Sequence, residues 1–300
     1  MLKFIGYGSA FNTELGNNSA YIKDGSTLFL IDCGSNTFDR IRKMNLLDGV
    51  EKIYVLITHT HPDHVGSLGD LIFYSYYSMG EIMKPCLTVL APKDVNVMIT
   101  LKAMGVRGEL YNFVRMDVFA NIDMNGERLL ISALKVNHVP ELTCYGYGIS
   151  FKGDNGYYSG DSNEIPSNVL ELLKGGWYDY FYQDTCKADY EGNVHLSLRK
   201  LDELVDKSVR DRVYCMHLDE SFDINEARNL GFKTVTPIDY REGDIFNIEG
   251  KDYALRFINK LGGCWLEPIL YRNSDSYVSG GLNKTVMYED LDNFELIDRY

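Results

Sequence analysis

The sequence predicts an α/β layered fold, and three observations predict it. Through the first hundred or so residues, short apolar and β-branched runs of strand length alternate with stretches whose apolar residues recur at helical spacing. The same alternation resumes after Leu129. The residues able to carry chemistry fall where strand runs end, which is a good place for a metal.

Taken in order, Leu2-Lys3-Phe4-Ile5 reads as a first strand running into Gly6-Tyr7-Gly8, and Ala20-Tyr21-Ile22 as a second. The Gly-x-Gly lacks the third glycine and the helix of a dinucleotide loop, so it reads as a close backbone turn. Gly25-Ser26 turns the chain into the strand Thr27 to Ile31, which ends in Asp32-Cys33-Gly34. Phe38, Ile41, Met44 and Leu47 give helical spacing over residues 38 to 48. The apolar run Ile53 to Ile57 then delivers Thr58-His59-Thr60-His61-Pro62-Asp63-His64. Three imidazoles and a carboxylate so close together cannot all face one ion from a regular helix or strand. A tight loop stiffened by Pro62 can aim His59 and His61 at one cation and Asp63 and His64 at a second. A helix is expected from Val65 to Met79, its aromatic residues Phe73, Tyr74, Tyr76 and Tyr77 reading as core. Residues 87 to 92 form a strand, and Asp94 to Met104 a helix stopped by Gly105.

In the second half, Leu129 to Ser132 and Ala133 to Val136 lead to Asn137-His138, and Cys144 to Phe151 and Gly156 to Tyr158 lead to Gly160-Asp161-Ser162. The strand Tyr178 to Thr185 ends at an acidic residue, Asp184; Gly192 to Ser197, containing His195, opens a helix from Leu198 to Val205. Val213 to Met216 delivers His217, with Cys215 expected to pack rather than to ligate.

A formal net charge of −13 and a pI near 4.9 repel polyanions, which disfavours a long nucleic acid while leaving a small anion free to reach a metal-lined pocket. No window approaches a membrane-spanning apolar run, and the first residues lack a secretory pattern, so an unexported, soluble chain is expected. Cys33, Cys86, Cys144, Cys186, Cys215 and Cys264 form no CxxC pair and read as reduced, mostly buried thiols.

His59-Thr60-His61-Pro62-Asp63-His64 resembles the HxHxDH signature of the metallo-β-lactamase superfamily, and His138, Asp161 and His217 stand in the order of that family's later ligands. Five of the 6 histidines fall on this pattern. The resemblance implies a four-layer αββα metallo-β-lactamase sandwich over residues 1–263, followed by an accessory segment, 264–300. It implies two divalent metal ions, zinc first, with manganese or iron tolerated by the same ligands. His59, His61 and His138 would take one ion; Asp63, His64 and His217 the other; Asp161 would bridge them. Asp32-Cys33-Gly34 resembles the family's DCG motif, whose aspartate orients the ligand loops. Gln183-Asp184-Thr185 and His195-Leu196-Ser197 resemble the H-E-A-T and H-[SM]-T segments of the ribonuclease Z-like phosphodiesterase branch, whose Glu and His pair to handle the leaving group's proton. Here Asp184 stands for Glu and shortens the reach by one methylene.

The implied chemistry is hydrolysis of a phosphodiester by metal-activated hydroxide, with Asp63 or the bridging Asp161 orienting the attack and His195, held by Asp184, protonating the leaving oxygen. Between His138 and Asp161 there is room for a hairpin and none for the tRNA-gripping arm of ribonuclease Z. The chain is similar in size and motifs to armless anti-Pycsar enzymes, which destroy cyclic mononucleotide signals. The implied substrate is thus a small anionic nucleotide, cyclic CMP, UMP, AMP or GMP. The alternatives are tRNA processing, a lactonase or β-lactamase activity, and a metal-free interaction module. The resemblance further implies no membrane partner, a homodimer, and a cytoplasmic location, the host cell's if the chain is phage-encoded. The residues that contact substrate are not legible.

Overall fold

The computed structural model describes residues 1–81, 83–235, 245–248, 250–258, 263–272, 277–279, 284–287 and 295–298. Two compact units result, Met1–Pro237 and Ile238–Tyr300. The division falls before the 263/264 boundary expected from sequence, and one strand of the second unit, Gly263–Arg272, runs across that point.

The first unit holds two sheets. In the first, β1 (Lys3–Gly6), β2 (Ser19–Asp24), β3 (Thr27–Ile31), β4 (Lys52–Leu56), β5 (Leu87–Pro92) and β6 (Asn112–Met116) lie side by side in chain order. β1 to β3 pair antiparallel and β3 to β6 parallel. Every residue of β3 is buried, as expected for a central strand flanked on both edges and covered on both faces. The parallel register forces helical crossovers. These are α1 (Thr37–Lys43) between β3 and β4, then α2 (Pro62–Val65) and α3 (Leu68–Ser78) before β5, and α4 (Val97–Ala103) before β6.

The second sheet has the order β13-β12-β11-β10-β9-β8-β7, from β7 (Phe119–Met124), β8 (Glu127–Val136), β9 (Cys144–Phe151), β10 (Asp154–Tyr158), β11 (Tyr180–Asp184), β12 (Val213–Met216) and β13 (Lys233–Thr234). Its β7 to β10 meander is antiparallel, and β10 to β13 are parallel. Helices α5 (Ser167–Lys174), α6 (Leu198–Leu204) and α7 (Ile224–Asn229) connect these last strands. Val169 and Leu173 of α5, Leu198 and Leu201 of α6 and Ala227 of α7 pack on Tyr157, Phe181, Val213 and Cys215 of the sheet. The alternate residues Tyr158 and Tyr182 point the other way, to the first sheet. There the Tyr158 hydroxyl accepts from Asn18 Nδ2 at 2.8 Å and the Tyr182 ring lies 5.3 Å from Phe4. The two-residue period of a strand thus produces helices outside and sheet against sheet inside.

Several expectations shift. α1 stops at Lys43, and Asn45, at φ 53°, turns the chain back toward β4. The helix expected from Asp94 is interrupted at Asn96, whose φ of 58° separates a short 3-10 turn from α4. On α3 the buried side is Leu68, Leu71, Ile72 and Ser75, so Phe73, Tyr74, Tyr76 and Tyr77 face outward, half-buried or exposed, rather than forming core. Leu68, Leu71, Ile72 and Ser75 already fill the stripe that a helix can present to a sheet.

In the second unit, β14 (Ile245–Ile248), β15 (Lys251–Ile258), β16 (Gly263–Arg272), β17 (Tyr277–Ser279), β18 (Lys284–Met287) and β19 (Glu295–Asp298) form an antiparallel sheet of order β17-β16-β15-β14-β19, with β18 also on β16. Among its described residues, Ile245, Phe246, Ile248, Tyr253, Ala254, Leu255 and Leu266 are buried. Ile238, Gly243, Asp244, Gly280 and Gly281 lie outside the described residues.

Candidate metal centre

The candidate ligands come from strand ends and the turns after them, and three of those ends share an uncommon backbone. Asp32 after β3, Gly160 after β10 and His217 after β12 have φ of 63°, 59° and 58°. The left-handed conformation costs about 1–3 kcal/mol at a non-glycine residue, so it persists only where the surroundings enforce it. At Asp32 they do: its N–H donates to Leu56 O at 2.9 Å, and its carboxylate is held as described below. At Gly160 a Cβ would stand 2.5 Å from Tyr145 O, so only glycine fits. At His217 the reversal takes the ring off the face it would share with Cys215 in a straight strand. Cys215 stays in the core.

The histidine segment is not one loop. His59 and His61 lie on non-helical chain after β4, His61 extended, whereas Pro62 opens the single turn α2, which carries Asp63 and His64. Proline suits that first helical position, where its missing N–H is not needed and its φ is already helical. The turn sits against the Asp32-Cys33-Gly34 segment. Cys33 N–H donates to His64 O at 2.7 Å, and a Cβ on Gly34 would stand 1.9 Å from Asp63 O. The helical turn therefore needs a glycine beside it.

Two groups of potential ligand atoms result, His59, His61, His138 and Asp161, and Asp63, His64, Asp161 and His217, each with all atoms within 4.8 Å of one another. In the first, His61 Nδ1 is 3.0 Å from His59 Nε2 and 3.2 Å from His138 Nε2, and Asp161 Oδ2 is 3.9 Å and 3.7 Å from those two Nε2 atoms. In the second, Asp63 Oδ2 is 3.3 Å from both His64 Nε2 and His217 Nε2; Asp161 reaches His217 Nε2 at 3.4 Å through Oδ2 and His64 Nε2 at 3.2 Å through Oδ1. Donors 2.0–2.1 Å from a tetrahedral ion stand about 3.3–3.4 Å apart, so both groups have the dimensions of a coordination shell. His64 Nε2 and Asp161 Oδ1 are buried and make no hydrogen bond, which a cation would remedy. The donor set fits a divalent metal, and Asp161 alone belongs to both groups.

The ring tautomers follow from the partners behind them. Asp32, fully buried, accepts from His64 Nδ1–H at 2.8 Å and from Thr58 N–H and Oγ1–H, each at 2.8 Å. Since the Thr58 hydroxyl proton points at Asp32, its oxygen accepts from His59 Nδ1–H at 3.0 Å. One carboxylate thereby orients a ring in each group, leaving both Nε2 atoms free for metal. His138 Nδ1–H donates to Val194 O at 3.1 Å with the same effect. Sequence reading placed Asp32 but missed Thr58 and Val194: a threonine before a histidine carries no signal of its own, and a backbone carbonyl carries none at all.

Asp184 carries a third group. Its Oδ2 accepts from His195 Nδ1–H at 2.6 Å and from Ser162 N–H at 2.9 Å, and its Oδ1 lies 3.4 Å from His217 Nδ1. The missing methylene does not prevent the pairing, because Asp184 ends β11 directly beneath the His195 loop. The His195 ring stands beside both metal groups, 5.0 Å from the His138 ring and stacked 4.9 Å from His217.

Burial and charge compete at every site residue. Burial pushes His59 and His61 below the usual imidazole range, keeping them neutral as ligation requires. Burial would lower His64, His195 and His217 too. The carboxylates Asp161 and Asp63 around His64, Asp184 beside His195, and Asp161 and Asp184 around His217 outweigh it, and His217 is pushed up to about 10. Conversely, burial would raise Asp63, Asp161 and Asp184, but the rings of His64, His217 and His195 hold all three below the usual carboxylate range. For Asp32 burial wins and its carboxyl is raised. Such clustering of opposed titratable groups is characteristic of catalytic and metal sites.

A crystal structure of the metallo-β-lactamase fold protein YhfI from Bacillus subtilis superposes with a TM-score of 0.61 at 18% identity, over 78% of this chain and 92% of that one. A diphosphatase from the PhnP family superposes equally well, TM-score 0.61 at 18% identity, over 79% and 94%. The α/β sandwich is thus a metallo-β-lactamase fold. In sequence, the chain is 27% identical over 242 residues to an anti-Pycsar protein Apyc1 of Paenibacillus harenae, covering 79% of this chain and 97% of the relative. The family model of the anti-Pycsar protein Apyc1 matches residues 1–237, the whole of the first unit. A metal-dependent hydrolase with the metallo-β-lactamase fold, the chain belongs to the anti-Pycsar protein Apyc1 family.

Proposed function

We propose that the chain is a dinuclear, zinc-dependent phosphodiesterase that opens a cyclic mononucleotide. The observation that carries the reading is the position of His195, held by Asp184 at 2.6 Å and set beside two donor groups that share Asp161. His59, His61, His138 and Asp161 would hold one ion, and Asp63, His64, His217 and Asp161 the other. Ions held there would supply Lewis acidity toward the phosphoryl oxygens and would lower the pKa of a bound water.

The residues of the chain supply the rest. Asp63, kept ionised by its histidine neighbours, accepts a hydrogen bond from the attacking water and fixes its direction. Asp184 holds His195 Nδ1–H, which leaves His195 Nε2–H to face the departing oxygen. As the water oxygen bonds to phosphorus, the phosphorus–ester bond breaks and its electron pair stays on the leaving oxygen, which takes the proton of Nε2. The proton released by the water restores the imidazolium, so the cycle is balanced. General acid catalysis of this kind is worth about 10²–10⁴ in rate.

A single phosphodiester inside a nucleotide ring suits this chain better than tRNA, since a net charge of −13 opposes a polyanion and a β9–β10 hairpin takes the place of an arm. Membership of the anti-Pycsar family and the fold shared with a diphosphatase support phosphoester chemistry. The same reading takes the enzyme as a cytoplasmic homodimer; among the described residues no helix is long and apolar enough to cross a membrane. The test is incubation of purified protein with cyclic CMP, UMP, AMP and GMP and with a precursor tRNA. Ring opening to the linear monophosphate is expected. Trimming of the tRNA without ring opening reverses the reading, and a metal-to-protein ratio of one rather than two removes the dinuclear part.

A further inference from the structure

We propose that Asn163 is a positioning residue for proton transfer, fixing the loop that carries His195 to the loops that carry Asp161 and His138. The proposal rests on the reading in which His195 protonates the leaving oxygen.

The loop in question spans residues 187–195. Its stem is closed where Cys186 N–H donates to Leu196 O and Leu198 N–H donates to Cys186 O, both at 3.0 Å. Within it, the buried Asn193 uses its whole side chain on the loop itself. Nδ2 donates to Ala188 O at 2.8 Å and to Cys186 Sγ at 3.2 Å, while Oδ1 accepts from His195 N–H at 3.2 Å. That makes the loop an internally stiff piece with His195 at its return. Such a piece still needs a tie to the metal groups, because its stem comes from β11 and α6 and not from the chain segments that carry most of the ligands.

Asn163 supplies that tie. Its Nδ2 donates to the backbone carbonyl of Asn193 at 3.1 Å, and its own N–H donates to Asn137 O at 2.9 Å. Asn137 immediately precedes His138, and Asn163 follows Asp161 by two residues. One asparagine therefore joins the turns after β8, β10 and β11, each of which carries a different part of the site. The Val194 carbonyl, next to Asn193, accepts from His138 Nδ1 at 3.1 Å, so the same loop also touches a ligand of the first group. Proton transfer needs a donor within about 2.6–3.2 Å of the departing oxygen, and a displacement of about 1 Å costs on the order of 100-fold. Holding His195 in that window is the task the geometry gives to Asn163.

A tie that merely stiffened the loop would slow every substrate alike, whereas one that positions the proton donor matters only when the leaving oxygen needs a proton. The experiment compares a cyclic mononucleotide, which releases an alkoxide, with bis(p-nitrophenyl) phosphate, whose p-nitrophenolate departs unprotonated. His195→Ala is the reference, Asn163→Ala and the nearly isosteric Asn163→Asp the tests, all measured at equal metal occupancy and with melting temperatures recorded. The expected result is a kcat loss of about tenfold for both Asn163 variants on the cyclic nucleotide, less than about twofold on the p-nitrophenyl ester, and an unchanged metal-to-protein ratio. Equal losses on the two substrates, no loss on either, or loss of metal overturn the proposal. If His195→Ala itself fails to separate the substrates, or the unaltered protein opens no cyclic nucleotide, the underlying reading falls and the proposal with it. A split for His195→Ala without one for Asn163 overturns the positioning role alone. Should Asn163→Ala unfold, Asn163→Asp carries the comparison, since it removes the donor and keeps the volume.

Discussion

Single side chains decide how the metal groups are held, and Asp32 does more of this than any of the ligands it serves. It touches His64 directly and His59 through Thr58, so Asp32→Asn should weaken metal binding by about 10–100-fold, measured by competition with a chromogenic chelator. An unchanged affinity would mean that the rings are oriented by packing instead. His217 sets the pH response. Its carboxylate neighbours push it to about 10, against an ordinary 6.5, so the stability its proton confers is complete below about 6.5 and is lost as pH climbs toward 10. Chelator-stripped protein should accordingly show a falling urea midpoint between pH 7 and 10. Zinc added at pH 7 in weak buffer should release protons, because a cation at Nε2 displaces the one held there. A midpoint that rises over that range would contradict the arrangement of Asp63, Asp161 and Asp184 around the ring.

At the level of elements, function is concentrated where strands stop. Asp32, Gly160 and His217 reverse their strands in the left-handed region, and each reversal brings a side chain, or that of its neighbour, to the candidate ligand groups. Gly160→Ala should cost about 1–3 kcal/mol, read from the shift in urea midpoint, since the new methyl meets Tyr145 O at 2.5 Å while the backbone stays left-handed. It should also lower metal affinity by moving Asp161. A variant as stable as the parent would show that the β10 turn relaxes freely. The division of α2 from α3 has the same logic. One turn beginning at Pro62 places Asp63 and His64 against the Asp32 segment, and only then does the longer amphipathic helix begin to cover its sheet.

On the scale of the whole molecule, every proposed ligand, the Asp184–His195 pair and the Asn163 tie lie within Met1–Pro237, the stretch that the family model also matches. A chain of residues 1–237 should therefore bind the same number of metal equivalents as the full chain, measured by elemental analysis after gel filtration. It should gain stability from zinc as the full chain does, about 2.7 kcal/mol per bound ion at a hundredfold excess over Kd. Fewer equivalents in the shorter chain would place part of the site in Ile238–Tyr300. The net charge of −13 also acts at this scale, as a field that admits a single phosphate drawn by bound cations and opposes a long run of them.

The sequence alone predicted the α/β layering, because strands announce themselves by apolar runs, and its resemblance to the metallo-β-lactamase signature offered the candidate ligand set, on which 5 of the 6 histidines fall. Resemblance to the ribonuclease Z-like segments also suggested Asp184 and His195 as a pair, and the structure brings the aspartate within 2.6 Å of the His195 ring. What tertiary structure decided was everything carried by backbone or by approach. The helical turn at Pro62, the outward aromatics of α3, the relay from Asp32 through Thr58, the Val194 carbonyl and the Asn163 bridge depend on chain segments far apart in sequence. Carbonyl groups and asparagines are common to every loop, and only their placement beside a buried imidazole gives them work to do.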